Sequence, residues 1–184
     1  MGHAYTALRA VEAFLKGAAD RGGPPGLNET LADIRAENGL GARAVPDVPH
    51  GHYEVGYHRP VPLAFPYLSI VWKGSVPDQG DMSNGAERGQ VQVVILVLDA
   101  NVDSRESGVG IAVALYEEAI TRMMRRGSDG GRDRPRGFEG WNLNAYPGVM
   151  DAEILSKETG EANLQHNNLA LSVVLQVRTQ EEVD

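Results

Sequence analysis

The sequence predicts an α+β protein: a single mainly antiparallel β-sheet, a long helix and shorter N-terminal helices packed on one face, and long exposed loops. Three observations lead to this fold class. The apolar, β-branched stretch Val91–Leu98 is typical of a mostly buried strand. The longest helical pattern of the chain follows it, with its apolar residues on one stripe. The stretch Asn168–Thr179 alternates apolar and polar residues, as a half-buried strand does. Together these patterns favour two layers, a sheet and the helices that cover it.

Two short helices are predicted in the N-terminal part of the chain. The first covers Thr6–Lys16, where apolar residues recur at helical spacing, and Gly17 ends it. In the second helix Asn28 is the predicted N-cap, and Asn38-Gly39 closes the helix. The apolar faces of the two helices consist of Leu8, Val11, Phe14 and Leu15 in the first and Leu27, Leu31 and Ile34 in the second.

Residues 39–66 are predicted to form an extended arm, because prolines interrupt this stretch repeatedly. Within the arm, Tyr53–Tyr57 is a predicted short strand. Long arms of this kind are uncommon inside a compact domain and often make contacts with partners. Tyr53 and Tyr57 are therefore candidate partner-contact residues.

A pair of antiparallel strands is predicted next. Pro66–Lys73 has the composition of a strand, and proline suits its first position. The polar stretch Val76–Gly89 is a predicted loop that leads into Val91–Leu98. Two consecutive strands joined by such a loop most simply pair antiparallel.

The long helix is predicted over Ser104–Arg126, which would make it roughly 34 Å long at about 1.5 Å per residue. Asp103, Ser104 and Ser107 are candidate N-caps, and Gly127 ends the helix. Its apolar stripe consists of Val109, Val113, Tyr116, Ile120 and Met123. Its polar face carries Glu117, Glu118, Thr121, Arg122 and Arg125.

A flexible basic loop over residues 127–140 follows the helix, and apolar residues are absent from its first part. It carries Arg132, Arg134 and Arg136 in an otherwise acidic chain. Arginine at this density can bind a partner's carboxylates or phosphates. A solvated loop and a DNA contact are the alternatives; among partners a protein is favoured, since aromatic stacking platforms are missing nearby.

The C-terminal part of the chain is predicted to add three strands. They cover Trp141–Tyr146, Val149–Leu155 and Asn168–Thr179, and a polar loop over Ser156–His166 separates the last two. In the last strand one face carries Leu169, Leu171, Val173, Leu175 and Val177, and the other carries Ala170, Ser172, Val174, Gln176 and Arg178.

The composition narrows the classes of function. The chain has 184 residues, a formal net charge of −8 and no cysteine. The length fits one domain over residues 1–184, and the absence of cysteine excludes disulfides and thiolate sites. The acidic balance argues against general binding to nucleic acid or anionic membranes. No apolar run approaches the roughly 20 residues that cross a bilayer, so a soluble, intracellular protein is expected.

Catalytic chemistry is not predicted. The carboxylates lack a spacing that general acid–base catalysis would require, and no nucleophile motif occurs. Gly108-Val109-Gly110 lacks the third glycine and tight turn of a dinucleotide loop. The best metal candidate is His50 and His52 with His58, because alternate residues of an extended segment point the same way. Three exposed histidines in a loop are the alternative, and we expect no enzyme, no cofactor and no metal.

The order of elements resembles that of the tail terminator, or tail-completion, proteins of long-tailed bacteriophages. A leading amphipathic helix and a proline-rich arm precede the strand that opens with Pro66-Tyr67-Leu68, the closest local match. A second strand, Val91–Leu98, enters a long helix, and the chain closes with strands that end in Leu169–Val177. The resemblance covers Thr6 to Thr179. The stretches 17–66 and 126–140 are longer than the family's usual connections.

The resemblance implies a virion structural protein of the tail or neck, assembled in the host cytoplasm. Such a protein forms a ring, usually a hexamer, that caps the tail tube, ends its polymerisation and joins it to the head–tail connector. The implied partners are further copies of the chain, the tube protein and the connector, with DNA passing through the channel. Alternatives are another head–tail joining component, or a small metal-dependent enzyme or ligand-binding domain using His50, His52 and His58.

Overall fold

The computed structural model describes residues 2–17, 25–56, 64–77, 86–98, 102, 108–125, 148–163 and 168–180. The helices are α1 (His3–Lys16), α2 (Leu27–Asn38) and α3 (Val109–Arg125). The strands are β1 (Tyr53–Val55), β2 (Tyr67–Pro77), β3 (Ala86–Leu98), β4 (Val149–Asn163) and β5 (Asn168–Gln180). The predicted strand Trp141–Tyr146 and the predicted loop 127–140 lie outside the described residues.

The five strands form one sheet in the order β1-β2-β3-β5-β4. The short β1 pairs parallel to β2, and the other neighbouring strands pair antiparallel. Helices α1 and α3 pack on the sheet, and α2 packs on α3. The α+β class with a mainly antiparallel sheet is confirmed.

The main hydrophobic core lies between the helices and one face of the sheet. On α3, Val113, Tyr116, Ile120 and Met123 are buried in this core, and Val109 is partly buried, which confirms the predicted apolar stripe. On β5 the residues from Leu171 to Val177 alternate between buried and half-buried, which confirms the predicted facing. The core therefore follows the two periodicities seen in the sequence, 3.6 for the helix and 2 for the strand.

Strands β2 and β3 are longer than predicted. The stretch Val76–Gly89 was predicted as a loop, but β2 continues to Pro77 and β3 begins at Ala86. Polar residues are accommodated because their backbones pair with a neighbouring strand across a register shift between Trp72 and Gly74. The Trp72 ring lies on Gly89, where an added Cβ would come within 2.1 Å of the ring. The ring thus covers a glycine, and a larger residue at position 89 would require the ring to move.

Strand β4 also exceeds its prediction. It runs to Asn163, so the predicted loop Ser156–His166 is wrong as far as residue 163. Residues 155–160 are exposed, and among the described strands only β5 pairs with β4. Pairing with β5, and not apolar composition, fixes this part of the strand.

Helix α3 begins later than predicted, at Val109 instead of Ser104. The carbonyl of Gly108 accepts the backbone N–H groups of Ile111 and Ala112, which places Gly108 at the N-cap. The three candidate N-caps lie outside the described residues.

The predicted N-cap of α2 is wrong. Gly26 occupies that position, and its N–H donates to the Glu29 carboxylate at 3.0 Å. Asn28 instead binds the backbone of Val48 twice: its amide donates to the carbonyl and its side-chain oxygen accepts the N–H, both at 2.9 Å. The asparagine therefore fixes a distant segment rather than the start of its own helix.

The described part of the predicted arm, up to residue 56, is not extended away from the protein. Ala44, Val45 and Val48 are fully buried in the core. The Arg35 guanidinium donates to the Val45 carbonyl at 2.7 Å, and the Tyr116 hydroxyl donates to the Pro46 carbonyl. The apolar residues between the prolines drive this packing, and residues 57–63 lie outside the described residues.

Two buried tyrosines should resist ionisation. Burial raises the pKa of Tyr53 and of Tyr116 well above the ordinary value of 10.0, and the nearby Asp47 carboxylate raises both further. A raised folded-state pKa means stability that is complete below pH 10 and lost as pH rises above it. We expect Tyr53 and Tyr116 to form tyrosinate only on unfolding, as measured by ultraviolet absorbance against pH.

Replacing each of these two tyrosines with phenylalanine should affect stability differently at neutral pH. Tyr116→Phe should cost about 1–2 kcal/mol because the Pro46 carbonyl loses its donor. Tyr53→Phe should leave stability unchanged or raise it, because the Tyr53 hydroxyl is buried without a hydrogen-bond partner among the described residues. Equal losses in urea unfolding would contradict these assignments.

Candidate interaction surface

The face of the sheet opposite the main core carries side chains from four strands, and we call it the open face. Strand register places these side chains in rows that run across β2, β3, β5 and β4. The buried residues of all three helices cluster with the other face, so none of the described helices has its core stripe here. The rows are Tyr67–Leu96–Ala170–Gly160, Ser69–Val94–Ser172–Glu158, Val71–Gln92–Val174–Ser156, Gly74–Gln90–Gln176–Glu153 and Val76–Arg88–Arg178–Asp151.

The character of the open face changes from one end to the other. Tyr67, Ser69 and Leu96 are buried at one end although they are not part of the main core cluster. In the middle, small apolar side chains alternate with polar ones, and the Gln92 amide donates to the Ser172 hydroxyl at 2.8 Å. The accessible part of the face therefore extends from this middle zone to the charged end.

The charged end contains a depression with a volume of about 310 Å³. Arg88 and Arg178 are directly opposite each other on β3 and β5, and Asp151 is opposite Arg178 on β4. One row further along, Gln176 is opposite Glu153. Two guanidinium groups thus line one side of the depression and two carboxylates the other.

Asp151 and Glu153 differ from the carboxylates on the helical side of the protein. Both are exposed, and neither makes an ion pair or a side-chain hydrogen bond in the part of the chain described. By contrast, Lys16 binds Glu12 at 2.8 Å, and Lys157 binds Glu117 at 2.7 Å. Asp151 and Glu153 are therefore available to a basic group from another molecule.

Helix-side pairing also affects the pKa of Glu12. Its partial burial acts to raise the pKa, but hydrogen bonds from Lys16 and Arg9 outweigh this and lower it. The Arg122 guanidinium donates to Glu37 on α2 and to Glu118 on its own helix, and these bonds raise its pKa. Such exposed pairs contribute little stability each, but they neutralise the helical surface.

The partner-contact residues predicted from the sequence fall into two groups. Tyr57, Arg132, Arg134 and Arg136 lie outside the described residues. Tyr53 lies in the core with only 9% of its surface exposed, and the Lys16 ammonium lies 5.4 Å from the centre of its ring. Its side chain is therefore structural in this conformation, and the surface prediction for it is corrected.

The histidines do not have the arrangement on which the metal hypothesis depended. His50 and His52 belong to a 3₁₀ turn, not an extended segment, so they do not point the same way. His52 Nδ1 lies 3.0 Å from the Pro66 carbonyl oxygen, and the His50 ring packs edge-on against Tyr53 at 5.8 Å. Within the described residues no three candidate ligands meet at a metal site; His58 lies outside them.

Comparisons with known proteins return no match, either to a family model or to a curated protein. Among the described helices, none is both long and apolar enough to span a membrane.

Sequence reasoning missed the charged depression. Arg88 lies in the stretch Val76–Gly89 that the sequence predicts as a loop, and no sequence pattern distinguishes Asp151 and Glu153 from the other carboxylates. The only available signal was Arg178 at the end of an alternating strand, on its polar face.

Proposed function

We propose that this protein is a ring-forming tail terminator of a long-tailed bacteriophage. It caps the tail tube, ends its polymerisation and joins it to the head–tail connector. The observation that carries the proposal is the sheet covered by helices on one face, with a second face whose middle and charged zones are accessible. Together with the element order that resembles the family, this supports a protein that acts by contact with other proteins.

A closed ring needs two different surfaces on each copy, one of which meets the other on its neighbour. The β4 edge of the sheet is poorly suited to this purpose. The register of β4 on β5 shifts at three points, and its exposed part carries Lys157 and Glu158. Shifts and charges of this kind suppress strand pairing between molecules. Contacts through the open face and through segments between the elements are thus favoured over strand addition.

The direct test uses purified protein with purified tail tubes that lack their own terminator. Light scattering and negative-stain microscopy should show rings of about six copies, alone or at one end of the tubes, as the resemblance implies. Tubes that keep growing in the presence of the protein would reject the function. A monomer that gains activity with Zn²⁺ would favour the alternative of a metal-dependent enzyme.

The basic loop is expected to serve assembly and not folding. Deleting residues 127–137 should leave the thermal unfolding midpoint nearly unchanged, because the deleted stretch consists of polar residues, glycine and one proline. The same deletion should reduce virion yield in a complementation assay. The control replaces these residues with a Gly/Ser segment of equal length, which should show the same defect. Wild-type yield from both variants would reject a role for the loop.

A further inference from the structure

We propose that the depression on the open face receives the arginine-rich segment of a second copy of this chain. The site consists of Arg88, Arg178, Asp151, Glu153 and Gln176. The inference rests on the proposed ring-forming function and adds to it the surface through which neighbouring copies meet.

The carboxylates of the depression are complementary in charge to the arginines of the segment. The depression presents two carboxylates on β4 that have no partner in the described chain, beside two guanidinium groups on β3 and β5. The segment Arg132-Asp133-Arg134-Pro135-Arg136 also alternates in charge. Its guanidinium groups can bind the Asp151 and Glu153 carboxylates as bidentate partners.

The segment is also long enough to reach a neighbouring copy. Residues 126–147 connect the end of α3 to the start of β4, and this segment can span about 70 Å when fully extended. A domain of this length has a radius of gyration of about 16 Å. The segment is therefore long enough to extend beyond its own domain to a neighbour. Reach also permits docking on the same copy, so the test separates the two arrangements.

The paired carboxylates on the helical side are less available to the segment than those of the depression. Carboxylates on the helical side are bound by the protein's own lysines and arginines, as Glu12, Glu117 and Glu118 are. An incoming guanidinium would have to displace those partners, whereas Asp151 and Glu153 require no displacement. The depression therefore offers two neighbouring carboxylates that a guanidinium can bind without displacing a partner in the described chain.

Cross-linking tests the contact directly, because the chain has no cysteine of its own. Copies carrying Glu153→Cys are mixed with differently tagged copies carrying Arg134→Cys under mild oxidation, with and without tail tubes. A disulfide between the two tags is expected. The control pairs Asp33→Cys with Arg134→Cys; Asp33 is equally exposed but lies on α2. No cross-link, equal cross-linking in the control, or closure only within one chain carrying both cysteines would overturn the proposal.

Charge reversal supplies an independent readout. Asp151→Arg/Glu153→Arg, and separately Arg132→Glu/Arg134→Glu/Arg136→Glu, should each weaken self-association by about tenfold or more. Asp33→Arg/Glu37→Arg changes charge equally and should stay within about twofold. Mixing the two defective variants should restore assembly, because each then offers the partner that the other lacks. Restoration only when all five changes are in one chain would place the segment on its own copy and overturn the proposal.

The outcomes for the ring and for the docking site are distinguishable. If wild-type rings form but the cysteine pair fails to cross-link, the docking site is wrong and the ring stands. If tubes are never capped, the proposed function fails whatever the cross-linking result.

Discussion

Gly17→Ala is expected to destabilise the protein by about 3–5 kcal/mol, a large fraction of the 5–15 kcal/mol typical of a domain. Gly17 ends α1 with φ 71° and ψ −178°, a conformation available essentially to glycine alone. An added Cβ would also lie 2.2 Å from the Gly26 nitrogen, at the start of α2. Since the obstacle is backbone, a rotamer change cannot relieve the overlap, and α1 and α2 would have to separate.

Two other glycines divide this effect into its causes. Gly26 has φ −88°, but its added Cβ would lie 2.5 Å from the Lys16 carbonyl carbon. Gly26→Ala therefore tests the overlap alone, at about 2–3 kcal/mol. Gly39 has φ 65° and no atom within 4 Å of an added Cβ, so Gly39→Ala tests backbone strain alone, at about 1 kcal/mol. Urea unfolding should rank the losses Gly17, Gly26, Gly39, and equal losses would show that the contact between α1 and α2 contributes nothing.

Ile120→Ala is expected to cost about 2–5 kcal/mol, since it would leave a cavity between α3 and the sheet. Ile120 is fully buried among the core residues of both layers. The matched variant Glu118→Gln lies on the same helix, where Glu118 binds Arg122 at an exposed position, and should cost at most about 0.5 kcal/mol. Calorimetry or chemical unfolding measures both. Similar losses would contradict the orientation of α3.

The sequence determined those parts of the fold that depend on periodicity. The stripe from Val113 to Met123 and the alternation from Leu171 to Val177 could both be predicted, because burial repeats along one element with a fixed spacing. The antiparallel pairing of β2 and β3 followed from their adjacency in the chain. These features required no knowledge of distant contacts.

Features that depend on contacts between distant residues could not be predicted in the same way. Asn28 has the chemistry of an N-cap, yet it binds the backbone of Val48, twenty residues away. The second half of β4 is polar on both faces and exists because β5 pairs with it. The depression likewise depends on a register that places Arg88 opposite Arg178. The local sequence around each arginine does not predict that pairing.

The irregular pairing of β4 with β5 affects how readily copies of the protein aggregate at high concentration. A long, straight outer strand would act as a template for stacking copies into cross-β fibrils when many molecules are made in one cell. Displaced residues such as Leu155 interrupt that template, and the charged groups along it repel further strands. Growth by strand stacking along β4 is thereby discouraged, which favours side-chain contacts over backbone pairing at this edge.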